Sequence, residues 1–125
     1  MLSKFFAAAI LGAMLFFSLA IVPTVFTTLT RTWAGVFIRR IFPIYYSSLA
    51  IASILTSLLA SSPHLKLAAT LCAFLFIFSL ALLNPAINKA TDTDNQNRFN
   101  LLHRTSVALN LLEMILFIFA LWADT

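Results

Sequence analysis

His103, Ser106, Asn110 and Glu113 recur at intervals of three, four and three in a stretch that is otherwise apolar. At about 100° per residue their side chains fall within an arc of roughly 80°, spread over about 15 Å of helix. An imidazole, a hydroxyl, an amide and a carboxyl on one face can hold a small polar ligand, pass a proton, or hydrogen-bond to a neighbouring helix. An ionisable group deep in a membrane costs at least ~2.5 to 3.5 kcal/mol, so it must face protein or water, and it marks a candidate site. Glu113 has no lysine or arginine at its depth, which leaves it protonated or hydrated. It can exchange that proton, or act structurally by donating to Asn110 or to a backbone carbonyl of another helix.

Such a stripe needs a bundle around it, and the composition supplies one. The chain has 125 residues, 62% of them hydrophobic and 10% charged, with a mean hydropathy of +0.99, far from the balance of a water-soluble domain. A spanning helix needs about 20 predominantly apolar residues. Four segments reach that length, roughly 4–29, 41–60, 65–88 and 98–122. The expectation is an all-α integral membrane protein with residues 1–125 in a single domain: an antiparallel bundle of four transmembrane helices. Ser18 and Ala20 satisfy the small-residue rule for signal cleavage, but Ile21, Val22, Val25 and Phe26 continue the apolar run, so the first segment is read as a retained helix. Cys72 is the only cysteine, which excludes an intramolecular disulfide. Glycine-rich phosphate loops, paired catalytic carboxylates and nucleophile elbows are absent, and catalysis is not expected.

Arg31, Arg39 and Arg40 cluster in the first connection, and Lys89, Arg98 and Arg104 in or beside the third. Only Lys4 and Lys66 stand opposite. The positive-inside rule then places connections 30–40 and 89–98 in the cytoplasm and both termini outside, in a multi-pass inner-membrane protein. The net charge of +4 follows from that topology, and no nucleic-acid partner is expected. Residues 30–40 can form a short helix lying in the interface, with Trp33, Val36 and Phe37 on one face. Residues 91–97, with Asp92 and Asp94, read as a solvated loop. The chain also resembles itself: Phe17, Ser18, Leu19 and Ala20 precede Pro23 as Phe78, Ser79, Leu80 and Ala81 precede Asn84 and Pro85. This suggests two parallel helical-hairpin repeats.

Four antiparallel helices bring Pro23, Thr24, Thr27, Thr28, Pro43, Tyr45, Tyr46, Asn84, Pro85, Asn88, His103 and Ser106 to one membrane surface. The expectation is a polar vestibule there, with Asn110 and Glu113 as its deepest members. The structural reading of each part is plain. Asn84 and Asn88, four apart, suit hydrogen-bonding glue between helices; Tyr45 and Tyr46 suit an aromatic belt; Pro23 and Pro85 suit kinks. Arg104 projects about 100° away from His103, as an interfacial anchor would. No cofactor is expected, and two are left open. Met14, Cys72 and Met114 fall at similar depth and are soft ligands suited to Cu(I), although methionine and cysteine also fill cores. Haem cannot be bracketed by His64 and His103, which belong to opposite surfaces; it would need His103 as a single axial ligand or two copies of His103 in a dimer. The lipid bilayer is one partner, and a second copy or a membrane-complex subunit is the other kind the sequence leaves open.

Residues 41–46 (IFPIYY) and 98–111 (RFNLLHRTSVALNL), together with 22–26 (VPTVF) and the Asn84-Pro85 pair, resemble the transmembrane protein 205-like family and its FPxY and FxxxHxxSxxxN patterns. The resemblance implies a four-helix membrane protein without a defined biochemical activity. It carries the family motif onto Phe42, Pro43, Tyr45, Phe99, His103, Ser106 and Asn110, and leaves Glu113 outside. A eukaryotic member is linked to platinum-drug resistance, and bundles of this kind have been likened to copper-resistance proteins and to a haem-pathway oxidase. The sequence therefore points to a site centred on His103, Ser106 and Asn110 that binds or moves a small ligand or metal species, against two alternatives: a structural or assembly subunit, and a haem-linked redox protein.

Overall fold

The computed structural model describes residues 2–123; Met1, Asp124 and Thr125, and with them the two chain ends whose side of the membrane the charges assign, lie outside the described residues. Four long apolar helices make up a multi-pass membrane protein: α1 (Leu2–Thr28), α2 (Arg31–Leu59), α3 (Pro63–Asp92) and α4 (Gln96–Ala123). Each packs against its neighbours in the chain, and α4 closes the ring against α1. The links are short, so consecutive helices run antiparallel. Large apolar side chains such as Phe5, Leu19, Leu58, Phe74 and Trp122 stand exposed around the outside, the surface that hydrocarbon covers in a membrane.

Local chemistry sets the helix ends. The Thr30 hydroxyl accepts from the Trp33 amide at 3.4 Å and Ser62 accepts from Leu65 at 3.5 Å, each satisfying one of the free amides of a first turn. Between α3 and α4 the chain turns through Thr93, Asp94 and Asn95, with Asp94 at φ 56°, a left-handed conformation that aspartate tolerates better than most residues. Asn95 then caps α4 through its side-chain oxygen, which accepts from the Arg98 amide at 3.2 Å.

Two expectations at this basic end are corrected. Residues 31–40 do not lie apart as an interfacial helix, and 30–40 is not a loop: they are the first turns of α2, which runs unbroken through Pro43 for 29 residues. That is about 43 Å of helix against a hydrocarbon thickness of about 30 Å, so the N-terminal turns overhang. Pro43 reads from sequence as a first-turn proline, where its missing N–H costs nothing; inside α2 it forfeits one backbone bond without ending the helix. Likewise α3 extends through Asp92, so the expected loop 89–98 contracts to residues 93–95. The two overhangs brace each other. The Arg39 guanidinium pairs with the Asp92 carboxylate, one of its two bonds spanning 3.3 Å, and also donates to the Asn88 carbonyl at 3.4 Å.

Pro23 and Pro85 have a consequence beyond bending. Each follows a five-residue π-helical segment, Phe17–Ile21 in α1 and Ser79–Leu83 in α3. The widened turns are held by Val22 N–H to the Phe17 carbonyl and Asn84 N–H to the Ser79 carbonyl. A proline removes one donor, and the π segment resets the hydrogen-bond register immediately before it. Both π segments end two residues before their proline, which supports the two-hairpin repeat. The equivalence runs Phe17 to Ser79 and Pro23 to Pro85, one residue out of step with the sequence match that aligned Phe17 with Phe78.

Candidate functional site

Tyr45 and Tyr46 are not a headgroup belt. They are 9% and 4% exposed, and both turn into the bundle, where burial obliges each hydroxyl to find a partner. The Tyr45 hydroxyl donates to Asn110 Oδ1 at 3.2 Å, and Asn110 Nδ2 donates to Ser18 Oγ at 3.1 Å. One amide thereby ties α1, α2 and α4 together. The Tyr46 and Ser106 hydroxyls meet at 3.3 Å, with either able to donate. Around them, Phe17 stacks on Tyr45 at 4.0 Å between ring centres, and Phe42 packs edge-on against Phe17 at 5.4 Å and stacks on Tyr46 at 5.7 Å. These aromatics fix where the hydroxyls point.

The other candidates fall into two groups. His103 is exposed and stacks on Phe99 with centroids 5.7 Å apart and rings nearly parallel, one turn outward from Ser106. Asn84 is buried and Asn88 half-buried, and neither side chain joins the Asn110 network by a hydrogen bond. The side chains of Ser18, Tyr45, Tyr46, Ser106 and Asn110 thus satisfy one another. Two surface clefts, of about 270 and 360 Å³, lie among apolar side chains such as Ile54, Phe74 and Ile77 in one and Phe16, Ile41 and Leu49 in the other. Phe17 and Tyr45 stand in the wall of the second cleft.

Glu113 remains. It is 1% exposed, and its Oε2 has no hydrogen-bond partner. Its backbone carbonyl accepts from the Cys72 thiol at 3.7 Å. Ser53 Oγ is the other unpartnered oxygen among the buried side chains described, and the register relates the two. Tyr46 meets Ser106; seven residues further along α2 and α4, which run in the same direction, stand Ser53 and Glu113. Seven residues are two turns, about 10.5 Å, on the same helix face. Two orphaned polar groups therefore lie at one depth beneath the satisfied network.

For metal chemistry, Met14, Cys72 and Met114 are all buried in the one core cluster, while no group of three or more His, Cys, Asp or Glu residues gathers among the described residues. His64 is exposed at the start of α3, at the far end of the bundle from His103.

Ser18 and Ser53 are the residues that sequence reasoning passed over. Ser18 drew notice only as part of a cleavage-like pattern and of the repeat, and a lone serine in an apolar helix is ordinary. The available signal was spacing: Ser53 sits seven residues from Tyr46, as Glu113 sits seven from Ser106.

The profile of a family described as a domain of unknown function, DUF4149, matches residues 5–96, about three quarters of the chain. The match takes in Ser18, Tyr45, Tyr46 and Ser53 and ends as α4 begins, so the stripe from His103 to Glu113 lies beyond it. No curated protein and no solved structure matches the chain significantly.

Proposed function

The chain belongs to the DUF4149 family, and from that premise we propose a multi-pass inner-membrane protein that binds or moves a small ligand or ion at an intramembrane polar site entered from its basic, cytoplasmic end. One observation carries the reading: a carboxyl 1% exposed, with an oxygen lacking any partner, stands at the inner end of a line of polar side chains. A bundle without use for that carboxyl would be more stable with an apolar residue in its place. The FPxY and FxxxHxxSxxxN patterns favour kinship with the transmembrane protein 205-like proteins within this setting.

The second reading is a structural subunit. It draws on Asn110, whose amide is fully engaged by Tyr45 and Ser18. Melting Glu113→Met beside the parent protein separates the two: a residue kept for function yields a gain in stability when replaced, and a residue kept as glue yields a loss. His103→Ala is expected to shift the melting free energy by no more than about 0.5 kcal/mol, since the ring is exposed and touches chiefly Phe99. A larger loss would make the histidine part of the scaffold. For the haem reading, the purified protein would show a Soret band that His103→Ala abolishes; a colourless preparation disposes of it.

Orientation has its own test. A cysteine replacing Asp94, in a chain whose Cys72 has been changed to alanine, is expected to be shielded from an impermeant thiol reagent in intact cells and labelled after lysis. Labelling of intact cells would invert the topology.

A further inference from the structure

We infer that the species bound at Glu113 is a proton, exchanged with the basic end of the bundle through the hydroxyl pair of Tyr46 and Ser106. The inference rests on the site reading above and names its ligand. The ionisable groups that face Glu113 are Tyr45 and Tyr46 from α2 and Cys72 from α3; the buried positions of the first helix, Ser3, Ala7, Ile10, Met14 and Phe17, contribute none. Among the described residues no ion pair or side-chain hydrogen bond reaches the carboxyl, the setting in which a buried carboxyl holds a proton rather than a charge. Met14, Phe76 and Phe117 are fully enclosed in the same core, and neither described cleft is lined by Glu113. A metal ion would need several oxygen ligands and room for them. A proton needs only an acceptor.

The route follows from donors that can reverse. Tyr46 and Ser106 oxygens lie 3.3 Å apart and either can donate. One turn further out is the exposed His103 imidazole, whose ring nitrogens both accept and release protons. Glu113 makes no side-chain hydrogen bond to Tyr46 in this packing, so on unloading a water entering from the basic end bridges the gap. The carboxyl O–H bond breaks, its proton goes to that water, and a proton of the water passes to the Tyr46 oxygen. The Tyr46 proton moves to Ser106, and the Ser106 proton leaves to His103 or water. One proton departs, one carboxylate remains, and loading is the reverse. Toward the other end the buried side chains of α4 are Met114, Phe117 and Ala120, which cannot relay, and the Thr56 hydroxyl of α2 is committed to the Ala52 carbonyl at 2.8 Å. Ser53 stands at the depth of Glu113 with a free oxygen, ready to stabilise either form of the carboxyl.

The test is infrared spectroscopy of the full chain in lipid nanodiscs, in water and deuterium oxide, with rapid alkaline jumps. The parent protein should show a protonated-carboxyl carbonyl band that shifts in deuterium oxide, is missing from Glu113→Gln, and decays after the jump. In Tyr46→Phe and in Ser106→Ala, each checked for an unchanged helical circular dichroism spectrum, the decay should slow about tenfold or more. A band common to the parent and Glu113→Gln, a band indifferent to the jump, or a decay in both relay variants as fast as the parent's would each overturn the proposal. A silent band together with a stabilised Glu113→Met removes the proton and keeps the site; a destabilised Glu113→Met removes the site itself.

Discussion

Glu113→Met is expected to melt with a net gain of about 1 to 2 kcal/mol over the parent protein. Leaving a buried polar oxygen unpaired costs about 1 to 3 kcal/mol, and Glu113 Oε2 is such an oxygen. Methionine is unbranched, similar in length and adaptable in shape, so it fills the same space at a packing cost below about 1.5 kcal/mol. The Cys72 thiol contacts the backbone carbonyl of Glu113, and that contact survives the substitution, so the change reports on the carboxyl alone. Glu113→Gln is the control: its amide meets the same unpartnered surroundings and should gain nothing. The readout is the midpoint of thermal or detergent-induced unfolding in mixed micelles. A loss of 1 kcal/mol or more in the methionine variant would mean that the carboxyl holds helices together. A gain in stability that removes proton exchange is what a residue retained for activity produces.

The parts of this molecule that the sequence announces are those set by the bilayer itself. Four apolar runs of spanning length must be four helices, because lipid offers backbone groups no other partners. Ends that reach into water obey weaker rules. The first turns of α2 are hard to read because Pro43 suits a helix start as well as an interior, and Gly35, the one strong helix-disfavouring residue between Arg31 and Ile41, costs only about 1 kcal/mol and does not end the helix. Asp92 looked like loop because it is charged, yet its partner Arg39, fifty-three positions earlier, holds it at the tip of a helix. The polar site was legible by type and illegible by pairing. Periodicity puts Ser106, Asn110 and Glu113 on one face, but only the packed bundle shows that Ser106 and Asn110 are answered by Tyr46, Tyr45 and Ser18 while Glu113 is answered by nothing. His103 carries the family-like motif and nevertheless faces outward; being one residue in a three-four-three series does not say how far around the helix the neighbours reach. The repeat was visible too, one residue out of register, because matching letters follow side chains whereas the π segments and prolines follow the backbone.

Asn110→Ala is expected to lose about 2 to 3 kcal/mol, the largest loss among the polar residues. The amide makes two interhelical bonds, at 3.2 Å with Tyr45 and 3.1 Å with Ser18, and membrane hydrogen bonds average about 0.6 kcal/mol with a maximum near 1.7. The excess comes from what is left behind. Tyr45 is held by its stack on Phe17 and cannot swing its hydroxyl to water, so alanine at 110 strands a buried donor. Tyr45→Phe removes that donor together with its bond, while the half-buried Asn110 keeps Ser18; it should cost about 1 kcal/mol. If the stranded hydroxyl is the reason, Asn110→Ala in the Tyr45→Phe background should cost about 1 kcal/mol less than in the parent, a coupling within the range found for residues in contact. Additive losses would show that Asn110 acts through packing instead. Ser18→Ala extends the cycle, since its bond crosses from α4 to the π segment of α1: coupling there would mean that the widened turn before Pro23 is held in place by the same amide that positions Tyr45.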